Sequence, residues 1–237
     1  MPGTKAGLPR RSATCNDELF CFPDMTGFRI IIFAKAPLPG QVKTRLIPLL
    51  GAEGAADLAR CMLQRILEEA LACGADRVEL CGSPAPGDTA WGSLQIPDGI
   101  LLAAQDEGDL GQRMLHAMAR GLETSDAVIL AGADCPGLDR RVLHRAMQSL
   151  EEHDAILVPA FDGGYVLLGL KRIHPAIMQD IPWNTGEVLP HTLQRLGELG
   201  YSVDLHAPQQ DIDSADDLAC LPDQPPFRMF RDVLKTG

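Results

Sequence analysis

Three cationic side chains stand close together just after the first strongly apolar run of this 237-residue chain. They are Lys35, Lys43 and Arg45, within FAKAPLPGQVKTRL (33–46). No acidic residue occurs between Arg29 and Glu53, although 32 of the 237 residues are Asp or Glu and about three would be expected there. Lysine and arginine bind phosphate oxygens, and Gly40 would let backbone N–H groups approach them. The segment predicts a phosphate site, with Lys43 also assigned to catalysis; a solvated loop is the alternative.

Two aspartates that follow apolar runs are candidate metal ligands. Asp134, which is also a candidate catalytic residue, lies in GADCPGLD, shortly after a run that ends at Gly132. Asp213 lies in DIDS, where Ser214 and Asp217 have the spacing of a helix cap and leave Asp213 free. Carboxylate oxygens suit Mg²⁺ or Mn²⁺, which an acidic protein needs between its own acids and a bound diphosphate. Turn formation or helix capping is the alternative role of both aspartates.

A second polar segment, QDEGDLGQRM (105–114), has the pattern of a strand end followed by a helix start. Asp109 can cap that helix, and helix N-termini favour anions or polar ligand atoms. Gln105, Gly111 and Arg113 are therefore predicted to bind nucleotide or phosphate. A surface salt bridge is the alternative role of Arg113.

Two further segments supply candidates for catalysis and for acceptor binding. In FDGGY, Asp162 is a candidate base, and Gly163 and Gly164 permit positive φ and close approach of a ligand. The same residues would suit a plain hairpin turn. In DIPWNTG, Trp183 and Thr185 are predicted to form a lid or a wall for the acceptor, with ordinary packing as the alternative.

The elements that must position these residues alternate between strands and helices. Short β-branched or apolar runs predict strands at 28–34, 76–82, 100–105, 126–132, 154–160, 164–170 and 201–207. Apolar residues at helical spacing predict helices at 55–70, after Asp109, after Asp139, at 186–199 and after Ser214.

This alternation predicts an α/β fold with a largely parallel sheet. The gap at 161–163 is too short for a crossover helix, so a hairpin and one antiparallel strand are expected there. Ligands bind outside the carboxyl ends of the strands in such sheets. The rule selects the loop after Ala34, residues 105–111, the loop after Gly132 and residues 209–214.

Composition excludes several classes of protein. A formal net charge of -11 and a pI near 4.9 disfavour binding to nucleic acid or to an anionic membrane. No apolar run is long enough to span a bilayer, and no secretory signal is visible, so a soluble cytoplasmic protein is expected. The seven cysteines include no C-x-x-C pair, which predicts reduced thiols, and the histidine spacing does not indicate zinc.

Six ordered motifs resemble the bacterial radical-SAM/selenodomain-associated transferase family, which is similar to the glycosyltransferase-A-like nucleotide-diphospho-sugar transferases. They are IIFAKAPLPGQVKTRLIPLLG, QDEGDLGQRM, GADCPGL, VPAFDGGYVLLGL, DIPWNT and DIDSADDL, and the match runs from about Arg29 to Leu218. The resemblance implies a three-layer α/β/α, Rossmann-like domain with a mixed, mostly parallel sheet. It implies a nucleotide over the first-strand loop and Mg²⁺ or Mn²⁺ held by Asp134 and Asp213.

Composition and the extent of this match divide the chain into three parts. Residues 1–26 are expected to be a loose extension, 27–222 a single glycosyltransferase-A-like catalytic domain and 223–237 a C-terminal tail. The partners implied are a nucleotide or nucleotide-sugar substrate and a small-molecule acceptor, without nucleic acid or membrane; a homodimer is possible.

Three functions remain open from the sequence. The first is metal-dependent glycosyl transfer from a nucleotide-diphosphate sugar, in which metal and cations stabilise the leaving diphosphate. The second is nucleotidyl transfer from an NTP to a phosphorylated small molecule, with release of pyrophosphate. A single aspartate in GADCP, in place of a D-x-D pair, resembles relatives of the second kind. The third is a protein that binds nucleotide without turnover.

Overall fold

The computed structural model describes residues 27–235, and the predicted N-terminal extension (1–26) lies outside them. This part of the chain forms a seven-stranded sheet with helices on both faces. The strands are β1 (Phe28–Lys35), β2 (Arg77–Ser83), β3 (Ile100–Ala104), β4 (Ala127–Gly132), β5 (Ala155–Pro159), β6 (Tyr165–Leu170) and β7 (Val203–Leu205). The α-helices are α1 (Ile47–Ala72), α2 (Leu110–Leu122), α3 (Arg140–Glu152), α4 (Val188–Glu198) and α5 (Arg228–Asp232).

The sheet is mixed and mostly parallel. Its strands lie in the order β3-β2-β1-β4-β6-β5-β7, and β6 runs antiparallel to both neighbours while the other pairs are parallel. The turn 160–164, which joins β5 to β6, is too short for a crossover and folds them into a hairpin. The predicted α/β fold and its single antiparallel strand are confirmed.

The central strand β1 divides the core between two helical layers. Ile30 and Ile32 are fully buried on the face that packs against α1 and α3, and Ile31 is fully buried on the face of α2 and α4. Consecutive strand residues point to opposite faces, so this unbroken apolar run requires helices on both sides. Each such side chain contributes about 1.5–3 kcal/mol by leaving water.

Helix α1 begins earlier than its apolar spacing predicts. The helix expected at 55–70 starts at Ile47, because Pro48 occupies the first turn, where its missing N–H costs nothing. Gly51 interrupts the helical backbone with φ 71°, which glycine adopts without strain. No helix within residues 27–235 has both the length and the apolar character needed to cross a membrane.

A third apolar cluster fastens the cationic segment to the end of the described chain. Its buried members are Leu46, Ala55, Leu58, Met62, Ile212, Leu218, Leu221, Phe227 and Phe230. Leu46 is the last residue of the predicted phosphate segment (33–46), and Ile212 precedes Asp213. Phe227 and Phe230 come from the predicted tail (223–237), which contributes α5 and buries both aromatic rings here.

Candidate functional site

Two neighbouring cavities open at the edge where the parallel strands end. The first, the loop pocket, has a volume of about 310 Å³. Its polar lining residues are Lys35, Gln41, Lys43, Gln105, Arg113, Asp134 and Asp213. The second, the tryptophan pocket, has a volume of about 320 Å³. Its polar and aromatic lining residues are Phe33, Asp134, Asp162, Tyr165, Trp183, Asn184 and Thr185.

The two pockets are continuous along a shared boundary. Phe33, Leu110, Gly132 and Asp134 line both of them. The carboxyl ends of the parallel strands therefore bring together side chains that are far apart in sequence. Molecules that filled the two pockets would meet beside the Asp134 carboxylate.

Two of the three cations of the segment 33–46 are paired with acids from two distant loops. The ammonium nitrogen of Lys43 lies 3.0 Å from Asp134 Oδ1 and 3.2 Å from Asp213 Oδ1. Arg45 Nη1 lies 3.1 Å from the other oxygen of Asp213. Only 4% of the Lys43 side chain is exposed, against 56% of Asp134 and 50% of Asp213. The deficit of acids in 33–46 is thus a local property of the sequence, which the fold compensates.

Backbone hydrogen bonds hold the two acidic loops together. The N–H of Ile212 donates to the carbonyl oxygen of Asp134 at 2.9 Å. Asp217 accepts hydrogen bonds from the backbone N–H groups of Asp213 and Ser214 and from the Ser214 hydroxyl. Burial raises the pKa of Asp217, but these hydrogen bonds outweigh it and leave that pKa below its ordinary value. The predicted helix after Ser214 is a short 3-10 helix, Asp216–Cys220, whose first residue has no side-chain cap. Of the predicted cap only the hydrogen bonds accepted by Asp217 form, and they leave the Asp213 carboxylate to the pocket.

Two cations of the loop pocket have no acidic partner. Within residues 27–235, neither Lys35 nor Arg113 has a carboxylate at ion-pair distance. Arg113 Nη1 donates instead to the side-chain oxygen of Gln105 at 2.8 Å. The Gln105 amide nitrogen donates to the carbonyl oxygens of Ala34 and Cys81. Gln105 therefore orients Arg113 toward the loop pocket and has no amide proton left for a ligand.

The start of α2 packs against the tryptophan pocket. The Asp109 carboxylate accepts from the backbone N–H of Gln112, whose side chain accepts from Asp109, so the predicted cap is present. A Cβ at Gly111 would lie 2.8 Å from the Trp183 ring, so the indole stacks directly on this backbone. Trp183 is half-buried and forms the pocket wall. Thr185 accepts from the N–H of Glu187, which shapes the loop that carries the tryptophan.

The β5–β6 turn brings an exposed acid to the tryptophan pocket. Asp162 Oδ1 accepts from the N–H of Gly164 at 2.9 Å, and Gly163 has φ 91°. A Cβ at Gly163 would collide with the backbone of Gly186, so this turn packs tightly against the loop before α4. The β5–β6 turn is therefore both a hairpin turn and the segment that carries the Asp162 carboxylate to the pocket. Gly40 also has positive φ and is exposed, but neither it nor Arg45 lines a described pocket.

Two residues near the site were not among the sequence candidates. Asp211 is half-buried, and burial together with the charges of Asp162 and Asp213 raises its pKa. Asn184 lines the tryptophan pocket with φ 63°, a left-handed conformation that is uncommon outside glycine. The alternation in Asp211–Ile212–Asp213, with a fully buried Ile212, is a sequence signal that could have found the first.

Asp134 and Asp213 could hold a divalent cation only if a bound ligand supplied further coordinating atoms. Within 27–235, no three His, Cys, Asp or Glu side chains are grouped closely enough to hold a metal. Asp134 and Asp213 present hard carboxylate oxygens, and Mg²⁺ is commonly held by one or two carboxylates plus substrate phosphates. The donor set fits that arrangement.

Comparison with known protein families matches residues 66–185 to the family described as "Uncharacterized protein conserved in bacteria (DUF2064)". The chain belongs to this family. The part that matches DUF2064 contains Gln105, Arg113, Asp134, Asp162 and Trp183. A search of curated proteins found no match.

Solved structures support the same fold. A "putative nucleotide-diphospho-sugar transferase" from Desulfovibrio desulfuricans G20 is 30% identical, with a TM-score of 0.78 over 90% of this chain and 95% of its own. A 4-diphosphocytidyl-2C-methyl-D-erythritol synthase from Anaerococcus prevotii DSM 20548 is 11% identical, with a TM-score of 0.55 over 89% of this chain and 99% of its own. A CMP:2-keto-3-deoxy-manno-octonic acid synthetase complexed with CTP is 14% identical, with a TM-score of 0.52 over 89% and 99%. The last two show likeness of fold alone.

Proposed function

We propose that this DUF2064 protein is a metal-assisted transferase that moves a glycosyl group from a nucleotide-diphosphate sugar to an uncharged small molecule. The observation that carries the proposal is the pair of pockets that meet at Asp134, one lined by cations and the other by acids and aromatic rings. The 30% identical structure described as a nucleotide-diphospho-sugar transferase supports the same donor class. The association with radical-SAM and selenodomain proteins and the cytoplasmic location stay predictions.

The donor diphosphate is assigned to the loop pocket. Lys35 and Arg113 have no carboxylate partner within the described residues, so their charges are available to phosphate oxygens. Negative charge develops on the diphosphate as the glycosyl bond breaks, and fixed cations stabilise it most effectively in a partly enclosed site. Gln105 contributes by holding the Arg113 guanidinium in place before the donor arrives.

Asp134 and Asp213 are the residues assigned to hold Mg²⁺ or Mn²⁺. When bound there, the metal would supply Lewis-acid neutralisation of the leaving diphosphate. The half-exposed carboxylates face the loop pocket, where donor oxygens could complete the ligand set.

The acceptor is assigned to the tryptophan pocket. Among residues 27–235, the side chains that line it include Asp134 and Asp162 but no lysine or arginine. A phosphorylated acceptor would place its charge near the Asp162 carboxylate with no lysine or arginine in the lining to offset it, which is unfavourable. An uncharged hydroxyl compound can lie against the Trp183 ring and hydrogen-bond to the acids. Asp162, exposed at the turn, is the assigned base for its hydroxyl proton.

Nucleotidyl transfer is the second candidate. The same phosphate cradle would hold an NTP, and the single aspartate at the end of β4 favours this chemistry over a D-x-D site. Its usual acceptor is phosphorylated, and the acidic lining of the tryptophan pocket ranks this function below glycosyl transfer. Nucleotide binding without turnover is the third candidate.

A product assay tests these three functions together. The protein is incubated with Mn²⁺, a panel of nucleotide sugars and NTPs, and matched pairs of acceptors with and without a phosphate group. Glycosyl transfer predicts release of nucleoside diphosphate with uncharged acceptors, and Asp134→Asn should abolish it. Release of pyrophosphate with phosphorylated acceptors would establish nucleotidyl transfer instead. Binding of nucleotide without either product would leave only the third candidate.

A further inference from the structure

The ammonium group of Lys43 lies between the two carboxylates to which a divalent cation is assigned. It is 3.0 Å from Asp134 Oδ1 and 3.2 Å from Asp213 Oδ1. A Mg²⁺ or Mn²⁺ ion that bridged the same two oxygens would lie about 2.0–2.2 Å from each, within the space between the two carboxylates. Two cations cannot share that space, so the ammonium group and the metal exclude one another.

Lys43 is held in this position by its surroundings. Its backbone is left-handed, with φ 47° and ψ 42°, a conformation that costs free energy outside glycine and persists where neighbouring structure fixes it. The N–H of Leu46 donates to the Lys43 carbonyl oxygen at 2.9 Å, and the Leu46 side chain is fully buried in the third cluster. The Lys43 side chain is enclosed while both carboxylates remain half-exposed.

Arg45 provides a natural comparison within the same ion-pair network. Its guanidinium lies 3.1 Å from Asp213 Oδ2, close to the distance at which Lys43 contacts the same carboxylate. However, 75% of the Arg45 side chain is exposed, and Asp213 is its only acidic partner within the described residues. Exposed ion pairs contribute little, so Arg45 should hinder a metal far less than Lys43 does.

We infer that Lys43 is an internal counter-cation that blocks the Asp134–Asp213 pair in the free protein and moves to the diphosphate when the nucleotide binds. The inference rests on the proposed function, and it states how access of the divalent cation to Asp134 and Asp213 is controlled. Lys43 lines the loop pocket, and its flexible four-carbon stem lets the ammonium group exchange carboxylate for phosphate oxygens without a change of backbone. Both carboxylates then become available to a divalent cation, so metal and nucleotide bind together.

Titration of the free protein with Mn²⁺, followed by the electron paramagnetic resonance signal of unbound Mn²⁺, tests the block. Lys43→Met should bind Mn²⁺ at least about tenfold more tightly than the natural protein, because the competing charge is gone. Arg45→Met, the matched control, should stay within about threefold. Lys43→Gln, which keeps a polar side chain, should show the same gain and serves if Lys43→Met does not fold. Unchanged or weaker Mn²⁺ affinity in the Lys43 variants, or an equal gain in Arg45→Met, overturns the inference.

Calorimetry with inorganic pyrophosphate in the presence of a chelator tests whether the Lys43 ammonium group leaves the two carboxylates for phosphate oxygens. Lys43→Met should bind metal-free pyrophosphate about tenfold more weakly, because the ammonium group is one of its ligands. Equal affinity in the variant and the natural protein would contradict the exchange. Neither titration uses a donor sugar or an acceptor. The inference therefore fails separately from the proposed transfer, which the product assay alone decides.

Discussion

The backbone N–H of Ile212 donates to the carbonyl oxygen of Asp134 at 2.9 Å, and the Ile212 side chain is fully buried between α1 and the end of the chain. This contact joins the loop after β4 to the loop after β7. Asp134 and Asp213 are therefore held together by a residue that lines neither the loop pocket nor the tryptophan pocket.

Truncation of Ile212 should loosen that separation. We expect Ile212→Ala to lower the free energy of unfolding by roughly 2–5 kcal/mol through the cavity it leaves. It should also weaken Mn²⁺-dependent nucleotide binding, because the two carboxylates would no longer be held together. Leu221→Ala removes a comparable side chain from the same cluster, and urea denaturation should show a similar loss of stability with nucleotide affinity retained. Parallel loss of affinity in both variants would show that only stability matters.

Lys35 and Arg113, which have no carboxylate partner among residues 27–235, should contribute to nucleotide affinity and little to folding. Lys35→Met and Arg113→Met are each expected to weaken binding of a nucleoside diphosphate about tenfold, with Tm unchanged. Lys171→Met is the control, because Lys171 follows β6 at the opposite edge of the sheet and donates to the Glu151 carbonyl oxygen. Calorimetry and thermal denaturation supply the two readouts. If both pocket variants retained their affinity for the nucleoside diphosphate, the assignment of the diphosphate to the loop pocket would be wrong.

Because Trp183 stacks on Gly111, a substitution of this glycine can distinguish a role in acceptor binding from a role in nucleotide binding. Gly111→Ala would place a methyl group 2.8 Å from the indole and 3.0 Å from the Met178 carbonyl oxygen, so the ring must shift. We expect a lower Tm and a raised KM for the acceptor, with donor affinity unchanged. Gly197→Ala, in the exposed part of α4 with open space around it, should instead be neutral or raise Tm. Weaker donor binding in Gly111→Ala would assign the glycine to the nucleotide.

Asp154 should make the stability of the sheet edge depend on pH. Its carboxylate accepts from the backbone N–H and hydroxyl of Ser202 at 2.9 and 3.0 Å, and these hydrogen bonds lower its pKa. A lowered pKa stabilises the fold above the unfolded value of about 3.9, and this contribution is lost as the pH falls through the folded value. Asp154→Asn is therefore expected to lower Tm at neutral pH by roughly 2–4 °C, a difference that shrinks in acid. A difference that stayed constant between about pH 7 and pH 2 would contradict this assignment.

The pattern of apolar residues in the sequence predicts the sheet, and the rule for ligand binding at strand ends predicts the edge at which the site lies. β-branched runs indicate the strands, and the short gap at 161–163 indicates the hairpin. The rule that ligands bind beyond parallel strand ends gathers Lys43, Asp134 and Asp213 at one edge, as the structure shows them.

The pairing of these side chains could not be predicted, because it depends on tertiary distances. Sequence spacing gives no indication that Lys43 lies between two aspartates, one of which is 170 positions away. The same applies to Gln105, whose amide is committed to Ala34 and Cys81, and to Gly111, which admits an indole ring. Apolar spacing does not predict the early start of α1, because Pro48 and Gly51 are residues that ordinarily interrupt a helix.

The reversed direction of β6 has a consequence for how acceptor choice could evolve. Because β5 and β6 form a hairpin, residues 160–164 project at the binding edge, where they join these two strands directly. Insertions at this tip would reshape the tryptophan pocket without shifting the register of β1, β3 or β4, which end at the loop pocket. The architecture thus allows one half of the site to diversify while the other is conserved.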